Sequence, residues 1–337
     1  MATIKDVAKA AGISVSTVSI VINGKSRERS IPETTQEKVF KAMHDLGYQP
    51  NVNARKLRSG EKESPVIAFF WPLDFRLSIL AAFLNAFSRE IERSGFDCEL
   101  VVQTYEVGNL AKYDKHIIGN KYQGVIIGAC TGEDIRHLEM IRPQIPVVLI
   151  NRDSDSFSTV GISNQAVGEL AASQFRKKGF EEAAIFHSSH IYMASSMRVE
   201  AFLSSCEKYG IRIAQEHIYT GNSTLDGGYH MAESFCGKQN RPKAIFCDSD
   251  AIAIGALKAF NENRIRIPEE AAVLSMDVTS SDISRYCFPS LSVVEMPSND
   301  IGKNVISLLR EKLESGSSEP EHIILRPALI LRESFPA

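Results

Sequence analysis

The sequence predicts an α/β protein with an all-α helix-turn-helix segment at its start and a body of open parallel sheets. Three observations predict this fold class. Apolar residues recur at helical spacing within residues 4–22, with a short break. From residue 64 onward, short apolar runs alternate with amphipathic stretches, and this alternation occurs in two successive sets. The 337 residues are enough for two or three domains.

The first helix follows from apolar residues at i, i+3, i+4 and i+7, with Thr3 as the N-cap. Its apolar stripe consists of Ile4, Val7, Ala8 and Ala11. The residues 12–14 interrupt this pattern, and Ser14 caps a second helix that runs to about Ile22. Two short helices joined by a turn with a glycine form a helix-turn-helix unit.

The second helix carries an unusual outer face. Val18, Val21 and Ile22 cluster on one side, so Ser16, Ile20 and Asn23 point away. An outward isoleucine between small polar residues suits a helix in the DNA major groove, where apolar side chains contact thymine methyl groups. Packing of Ile20 against a neighbouring domain is the alternative.

A third and a fourth helix follow. The third, over residues 32–46, is expected to bury Val39, Phe40, Met43 and Leu46. After Pro50, Asn51 can cap a helix of only about eight residues, which is marginally stable in water. This last segment carries three cations and one large apolar residue, Leu57.

Residues 3–60 resemble the lactose-repressor family very closely, through TIKDVAKAAGISVSTVS, then NG, then LGYQPNVNARKLRSG. The resemblance spans essentially the whole chain. It implies a hinge helix that folds when a dimer binds double-stranded operator DNA, with Leu57 wedged into the minor groove. Contacts with DNA are implied for Thr3, Val15, Ser16, Thr17, Ile20, Asn23, Thr35, Tyr48, Asn51, Ala54, Leu57 and Arg58.

The charge is divided unevenly along the chain. Net charge is −3, yet residues 1–62 hold 11 Lys/Arg against 6 Asp/Glu, and the remainder holds 27 against 35. A basic N-terminal segment attached to an acidic remainder is typical of a protein whose N-terminal segment contacts DNA phosphate. The polar connection at 24–31 could touch phosphate or be solvated; both interpretations are open.

Other composition features exclude several classes of protein. The first twenty residues contain Lys5, Asp6 and Lys9, so no signal peptide is expected. The longest apolar run, 66–71, is too short to span a membrane. We therefore expect a cytoplasmic protein, nucleoid-associated when bound to DNA, with no membrane partner. Six scattered cysteines without a CxxC pair argue against disulfides and zinc sites.

The resemblance also implies a body of the periplasmic-binding-protein type (type I), in which two lobes are linked by crossovers near 162, 291 and 321. The predicted domains are 1–50 for DNA binding, 51–63 for hinge helix and linker, and 64–337 for effector binding and dimerisation. The N-lobe would comprise about 64–162 plus 292–321, and the C-lobe about 163–291 plus 322–337.

Ligands of such sheets bind at the carboxyl ends of the strands. Asn151 and Asp277 end predicted strands, Ser249 follows one, and a carboxylate plus an arginine can hold hydroxyls. For any single residue, a helix cap or an inter-lobe ion pair is an equal alternative. The resemblance implies effector contacts at Pro72, Phe75, Asn151, Ala194, Arg198, Ser223, Ser249, Asp277 and Met296.

Several of these positions depart from the family pattern. Ser249 replaces the usual Asn and Met296 a frequent Gln, while Ser223 stands where some members stack an aromatic ring. Serines also replace the usual Asp and Gly at 163 and 275. The pocket thus keeps its charged residues but loses amide and aromatic ones, which makes a nucleobase a less suitable effector than a sugar.

No glycine-rich phosphate loop, HExxH or GxSxG motif occurs, so we expect no enzyme, no catalytic residue, no cofactor and no metal. The resemblance implies a ligand-responsive homodimeric repressor of a palindromic operator, with a sugar or related small molecule as effector. One alternative is a DNA-binding regulator with a degenerate pocket, constitutive or controlled by a partner. Another is a soluble sugar-binding protein, against which residues 1–58 argue.

The wedge hypothesis predicts the behaviour of Leu57→Ala. The variant should lose most of its specific operator affinity. Inserting the leucine unstacks a base step at a cost of about a few kcal/mol, and the bent duplex that results offsets this cost through additional contacts with the protein. Without the leucine side chain, the bend and these contacts are lost. Non-specific, salt-dependent binding through the cations should persist. Unchanged operator affinity and unchanged DNA bending in a gel-shift comparison would contradict the wedge.

Overall fold

The computed structural model describes residues 4–22, 26, 29, 31–46, 64–74, 77–118, 121–189, 193–278 and 281–336. The chain forms two compact units, residues 1–63 and 64–337. The predicted hinge helix at 51–58 lies outside the described residues. None of the helices in the described ranges has the length and apolar character needed to cross a membrane.

The first unit contains helices α1 (Ile4–Ala11), α2 (Val15–Ile22) and α3 (Glu33–Asp45). Gly12 ends α1 in the left-handed region at φ +68°. The Ile13 N–H then donates to the Ala8 carbonyl at 3.1 Å and the Gly12 N–H to Lys9 at 3.4 Å, the pattern of a Schellman motif. The Ser14 hydroxyl accepts the Thr17 N–H at 3.1 Å and caps α2. The predicted helix-turn-helix is confirmed.

The core of this unit is small and aliphatic, and its buried residues are Val7, Ala8, Val18, Val21, Val39 and Ala42. The prediction that Phe40 and Leu46 are buried is wrong, since they are 53% and 40% exposed. On α3, Val39 and Ala42 face the core. Phe40 follows Val39 directly, so its side chain points about 100° around the helix from that of Val39, away from the core.

The second unit, the body, contains twelve strands within its described residues. Their bounds are β1 Val66–Pro72, β2 Glu99–Tyr105, β3 Gly124–Gly128, β4 Val147–Ile150, β5 Ser158–Ile162, β6 Ala183–Ser188, β7 Ile218–Gly221, β8 Ala244–Cys247, β9 Ala272–Asp277, β10 Ser292–Glu295, β11 His322–Leu325 and β12 Ala328–Ile330.

The helices of the described body connect and cover these strands. They are α4 Leu77–Ser94, α5 Asp114–Ile117, α6 Gly132–Ile141, α7 Asn164–Lys177, α8 Met193–Lys208, α9 Leu225–Cys236, α10 Asp250–Glu262, α11 Ser281–Tyr286 and α12 Ser298–Ser315, with 3₁₀ turns at Leu110–Tyr113 and Gln215–His217. The sequence did not predict β7 or α11. Each has six residues or fewer, too few for a periodic pattern to be distinctive.

The strands form two six-stranded sheets. The first sheet has the order β11-β5-β4-β3-β1-β2 and is parallel throughout. The second has the order β12-β10-β9-β8-β6-β7 and is parallel except for edge strand β12, which pairs antiparallel with β10. The α/β class with parallel sheets is confirmed, with this one antiparallel edge.

Two of the predicted lobe segments need correction. Strand β10, expected in the first lobe, pairs with β9 in the second sheet, and β11, expected in the second lobe, pairs with β5 in the first. The chain therefore crosses after Glu295 rather than near 291, and after Leu325 rather than near 321. A short apolar strand has the same sequence pattern in either sheet, so hydropathy did not distinguish the two.

Both faces of the sheets are buried, as expected where helices cover each side. Along β1, Ile67, Phe69 and Trp71 contribute to one apolar cluster, and Ala68 and Phe70 to another. Alternate residues of one strand thus belong to opposite cores. The central strands consequently appear in the sequence as unbroken apolar runs such as AFFW.

Helices α9 and α10 approach each other so closely that Gly255 in α10 has no room for a side chain. A Cβ there would overlap the Leu225 carbonyl oxygen and lie 2.8 Å from the backbone nitrogen of Tyr229. Both neighbours are backbone atoms, which cannot rotate away.

We predict that Gly255→Ala destabilises the body by about 1–3 kcal/mol, despite the higher helix propensity of alanine. The matched control is Gly237→Ala at the end of α9, where a Cβ meets nothing closer than 3.7 Å. Urea unfolding of the full chain measures both. Equal stability of Gly255→Ala and wild type would contradict this tight packing.

Candidate functional site

The N-terminal turn of α2 forms an exposed polar surface. Val15 is 41% exposed, Ser16 is exposed, and Thr17 and Ile20 are half-buried. The Ser14 hydroxyl lies 2.8 Å from the hydroxyls of Ser16 and of Thr17. This face presents hydroxyl and aliphatic groups without a charge, which suits contact with base edges.

The remaining predicted DNA contacts divide into two groups. Thr35 lies half-buried in the first turn of α3, where its N–H donates to the Pro32 carbonyl at 3.0 Å. The others lie outside the described residues, namely Thr3, Asn23, Tyr48, Asn51, Ala54, Leu57 and Arg58.

A cavity of about 100 Å³ lies in the body at the carboxyl ends of strands from both sheets. Six of the nine predicted effector residues line it, namely Asn151, Ala194, Arg198, Ser223, Ser249 and Met296. Residues Trp71, Ile79, Phe83, Ala129, Ile150, Arg152, Ser188, Ser195, Asp248 and Val278 complete the wall. A space of this size holds several water molecules or part of a small polar metabolite.

Asp248, directly after β8, is the carboxylate of this cavity and is buried. Its Oδ2 accepts the Ser188 N–H at 3.0 Å and the Ser195 hydroxyl at 2.6 Å. Its Oδ1 is buried and has no hydrogen-bond partner. One oxygen is therefore fixed by the protein, and the other is available to a ligand donor.

Arg198, one turn after Ser195 on α8, is 9% exposed, and its buried Nε has no hydrogen-bond partner. Desolvation lowers the pKa of Arg198, the Asp248 carboxylate opposes that shift, and the nearby Arg152 cation adds to it. The guanidinium remains charged because arginine starts from so high a value. It is a buried cation in the wall of this cavity.

Arg152, buried after β4, is held by the first lobe. Its Nε donates to the Cys130 carbonyl at 2.6 Å and its Nη1 to the Asn151 carbonyl at 2.7 Å.

Ser223 and Ser249 place their hydroxyl oxygens 3.1 Å apart in the cavity wall. Ser249 also accepts the Ile252 N–H at 3.4 Å as the N-cap of α10, so the helix-cap alternative holds for it in part.

Asn151 connects the cavity to two crossings between the sheets. It adopts a left-handed φ of +50°. Its Oδ1 accepts the Ile162 N–H at 3.1 Å, at the end of β5, and its Nδ2 donates to Met296 Sδ at 3.3 Å, just after β10. A ligand that contacts Asn151 or Met296 would touch both crossings.

Three predicted effector residues are not among those lining the cavity. Pro72 is buried at the end of β1, and Phe75 lies outside the described residues. The Asp277 carboxylate is buried and accepts the Ser284 hydroxyl at 2.7 Å.

Asp248 and Arg152 line the cavity although the sequence analysis did not predict them. Each is adjacent to a predicted residue, Ser249 or Asn151, and strand-end position was the signal that could have identified them.

Together, a helix-turn-helix unit and a two-sheet body with a polar cavity define a class of DNA-binding regulators. Residues 3–51 match the family described as "Bacterial regulatory proteins, lacI family", and residues 172–335 match "Periplasmic binding protein-like domain". Individual proteins with similar sequences or structures show which family the whole chain belongs to.

The chain is 31% identical over 324 residues to the "Probable HTH-type transcriptional repressor ExuR" of Bacillus subtilis (strain 168), covering 95% of this chain and 93% of that one. It is 25% identical over 338 residues to the repressor PurR of Pasteurella multocida (strain Pm70), covering 99% and 98%. A LacI family transcription regulator from Clostridium acetobutylicum superposes with a TM-score of 0.77 at 27% identity, over 80% of this chain and 100% of that one. The chain belongs to the LacI family and is a DNA-binding transcriptional regulator.

Proposed function

We propose that this regulator acts as a homodimer on a two-fold symmetric operator and represses transcription until a small polar metabolite, of the sugar class or related to it, binds its body. A dimer presents two identical recognition helices, so the operator half-sites are related by the same two-fold axis. In this proposal residues 1–50 bind DNA, 51–63 form the hinge, and 64–337 bind effector and dimerise.

On the DNA side, the exposed N-terminal turn of α2 supports the proposal. Val15, Ser16 and Ile20 read base edges in the major groove, while Thr17 and Thr35 contribute polar contacts. The proposed contacts outside the described residues remain predictions from the sequence. The proposed location is the cytoplasm and, when the protein is bound to operator, the nucleoid; DNA binding supports this proposal.

On the effector side, the buried and unpartnered Nε of Arg198 is the observation that carries the proposal. A buried polar group without a partner costs about 1–3 kcal/mol, which a ligand acceptor can recover. Arg198 and Asp248 anchor the ligand, and Asn151, Ser223, Ser249 and Met296 surround it. A ligand that touches both lobes favours one arrangement of the lobes over another and shifts DNA affinity through that difference.

The recognition proposal predicts a change of base preference in Ile20→Arg. Arginine should replace a preference for a thymine methyl by one for guanine, an effect of about 1–3 kcal/mol at one position per half-site. Ile20→Val, which keeps the aliphatic contact, serves as the control. Selection from a randomised operator library measures the preference, and identical motifs from Ile20→Arg and wild type would contradict this role.

The effector proposal predicts that Asp248→Asn uncouples ligand from DNA. Removing the cavity carboxylate should reduce the effect of ligand on operator affinity by about tenfold or more, because the two sites are coupled by typically 1–3 kcal/mol. Operator binding by the full chain is titrated with sugars and sugar derivatives in wild type and variant. Asp97→Asn is the matched control, because the exposed Asp97 carboxylate accepts the Ser64 hydroxyl at 2.7 Å and lies outside the cavity wall.

A normal ligand response in Asp248→Asn would place the effector elsewhere. If no compound changes operator affinity in wild type, the constitutive or partner-controlled alternative is favoured. If no operator is selected at all, the DNA-binding function itself is contradicted.

A further inference from the structure

We propose that Ser14 is a positioning residue for base readout: it links the hydroxyl of Ser16 to that of Thr17 and so makes Ser16 a hydrogen-bond acceptor toward DNA. This inference rests on the proposed function, because it concerns how the same exposed turn of α2 reads bases. It follows from the hydrogen bonds around one oxygen atom.

The Ser14 hydroxyl has a partner for each of its hydrogen-bonding positions. It accepts the Thr17 N–H at 3.1 Å, and it lies 2.8 Å from the hydroxyl oxygens of Ser16 and of Thr17. A serine hydroxyl can donate one hydrogen and can accept with two lone pairs. Because the backbone N–H takes one lone pair, the other lone pair and the hydrogen remain for the two hydroxyls. Ser14 therefore accepts from one of these hydroxyls and donates to the other.

This count couples the hydrogen-bond character of Ser16 to that of Thr17. A hydroxyl that donates to Ser14 has used its hydrogen, so it offers lone pairs to DNA and can only accept. A hydroxyl that accepts from Ser14 keeps its hydrogen and can donate it to DNA. The two hydroxyls consequently present opposite characters, and a DNA group that fixes one of them also fixes the other.

A DNA phosphate fixes the character of Thr17. Thr17 is half-buried in the first turn of α2, whereas Ser16 is exposed. The proposed function places Ser16 on a base edge and gives Thr17 a polar contact of another kind. Phosphate and sugar take most protein–DNA hydrogen bonds, and phosphate oxygens can only accept. We assign the Thr17 hydroxyl to a phosphate oxygen, so Thr17 donates to DNA and accepts from Ser14.

The result is a hydroxyl relay in which Ser16 donates to Ser14, Ser14 donates to Thr17 and Thr17 donates to phosphate. Hydrogen bonds in such a chain polarise and strengthen one another. A serine hydroxyl that is free to rotate can bind donors and acceptors alike, and it discriminates poorly among bases. In the relay, Ser16 accepts from the amino group of adenine or cytosine and has no hydrogen for the carbonyl oxygen of guanine or thymine.

The test uses the full chain and begins with Ser16→Ala. Selection from a randomised operator library identifies the base that Ser16 reads, as the position whose preference changes in this variant. At that position, wild type should bind operators with adenine or cytosine at the contacted edge about fivefold or more tightly than operators with guanine or thymine. Gel-shift titration of matched operators measures this ratio.

Ser14→Gly should reduce the ratio to about twofold or less, because Ser16 is then free to donate or accept. Glycine is nearly as good an N-cap as serine, so α2 itself is retained. Ser14→Thr keeps a hydroxyl and should keep the ratio. A cap with a merely structural role would instead lower the affinity for every operator by the same factor and leave the ratio unchanged.

Thr17→Val tests the relay at its other end. Valine keeps the shape of threonine and the N–H bonded to Ser14, but it lacks the hydroxyl. All operators should bind more weakly, and the ratio at the Ser16 position should fall as well, although Thr17 does not touch that base. In a Ser16→Ala background, neither Ser14→Gly nor Thr17→Val should change base preference further. Thr34→Ala, which removes an exposed hydroxyl on α3, is the matched control.

The outcomes separate this inference from the proposed function. If Ser16→Ala changes the selected motif but Ser14→Gly or Thr17→Val keeps the wild-type ratio, readout by Ser16 stands and the relay fails. A wild-type preference for guanine or thymine at this position also overturns the relay. If Ser16→Ala selects the wild-type motif, the proposed readout by Ser16 is itself contradicted, and the relay is rejected with it.

Discussion

The hydrogen bonds to Asp248 are the interaction on which the geometry of the cavity depends. This one carboxylate joins the end of β8 to the end of β6, through the Ser188 N–H, and to the first turn of α8, through the Ser195 hydroxyl. Arg198 follows Ser195 by three residues on the same helix and therefore lies on the same face. The position of the cation is thus fixed by the anion through α8, without a direct bond between the two side chains.

Asn151 organises the first-lobe side of the cavity, as Asp248 organises the second-lobe side. Its left-handed backbone and its two side-chain bonds bring Ile162 and Met296 to the edge of the cavity. A Cβ at Gly161 would lie 2.8 Å from Asn151 Oδ1, so the neighbouring strand must carry a glycine for this arrangement to form. The cavity and two of the crossings between the lobes therefore share one residue, and under the proposed function this residue is the physical route from a ligand contact to a change in lobe arrangement.

The sequence predicted the fold class and most helices and strands, because long amphipathic helices and unbroken apolar strands have distinctive periods. It misassigned β10 and β11, since sheet membership depends on pairing between distant strands. Residues in the cavity that resemble family positions were found, such as Asn151 and Arg198. Strand-end position marks Asp248 and Arg152 as candidates no less than their neighbours Ser249 and Asn151, but it does not reveal which way a side chain points, and these two were missed. Phe40 was misplaced because adjacent apolar residues on a helix cannot both face a small core.

The chain crosses between the lobes in three very short segments: Ser163 joins β5 to α7, Met296-Pro297 joins β10 to α12, and Arg326-Pro327 joins β11 to β12. Two intervening residues allow the flanking Cα atoms to separate by at most about 11 Å even when fully extended. The lobes consequently cannot slide apart as independent bodies. Relative motion of the lobes is therefore most restricted where the chain crosses. An insertion between Arg326 and Pro327, which do not line the cavity, would relax that geometric constraint and leave the cavity wall itself unchanged.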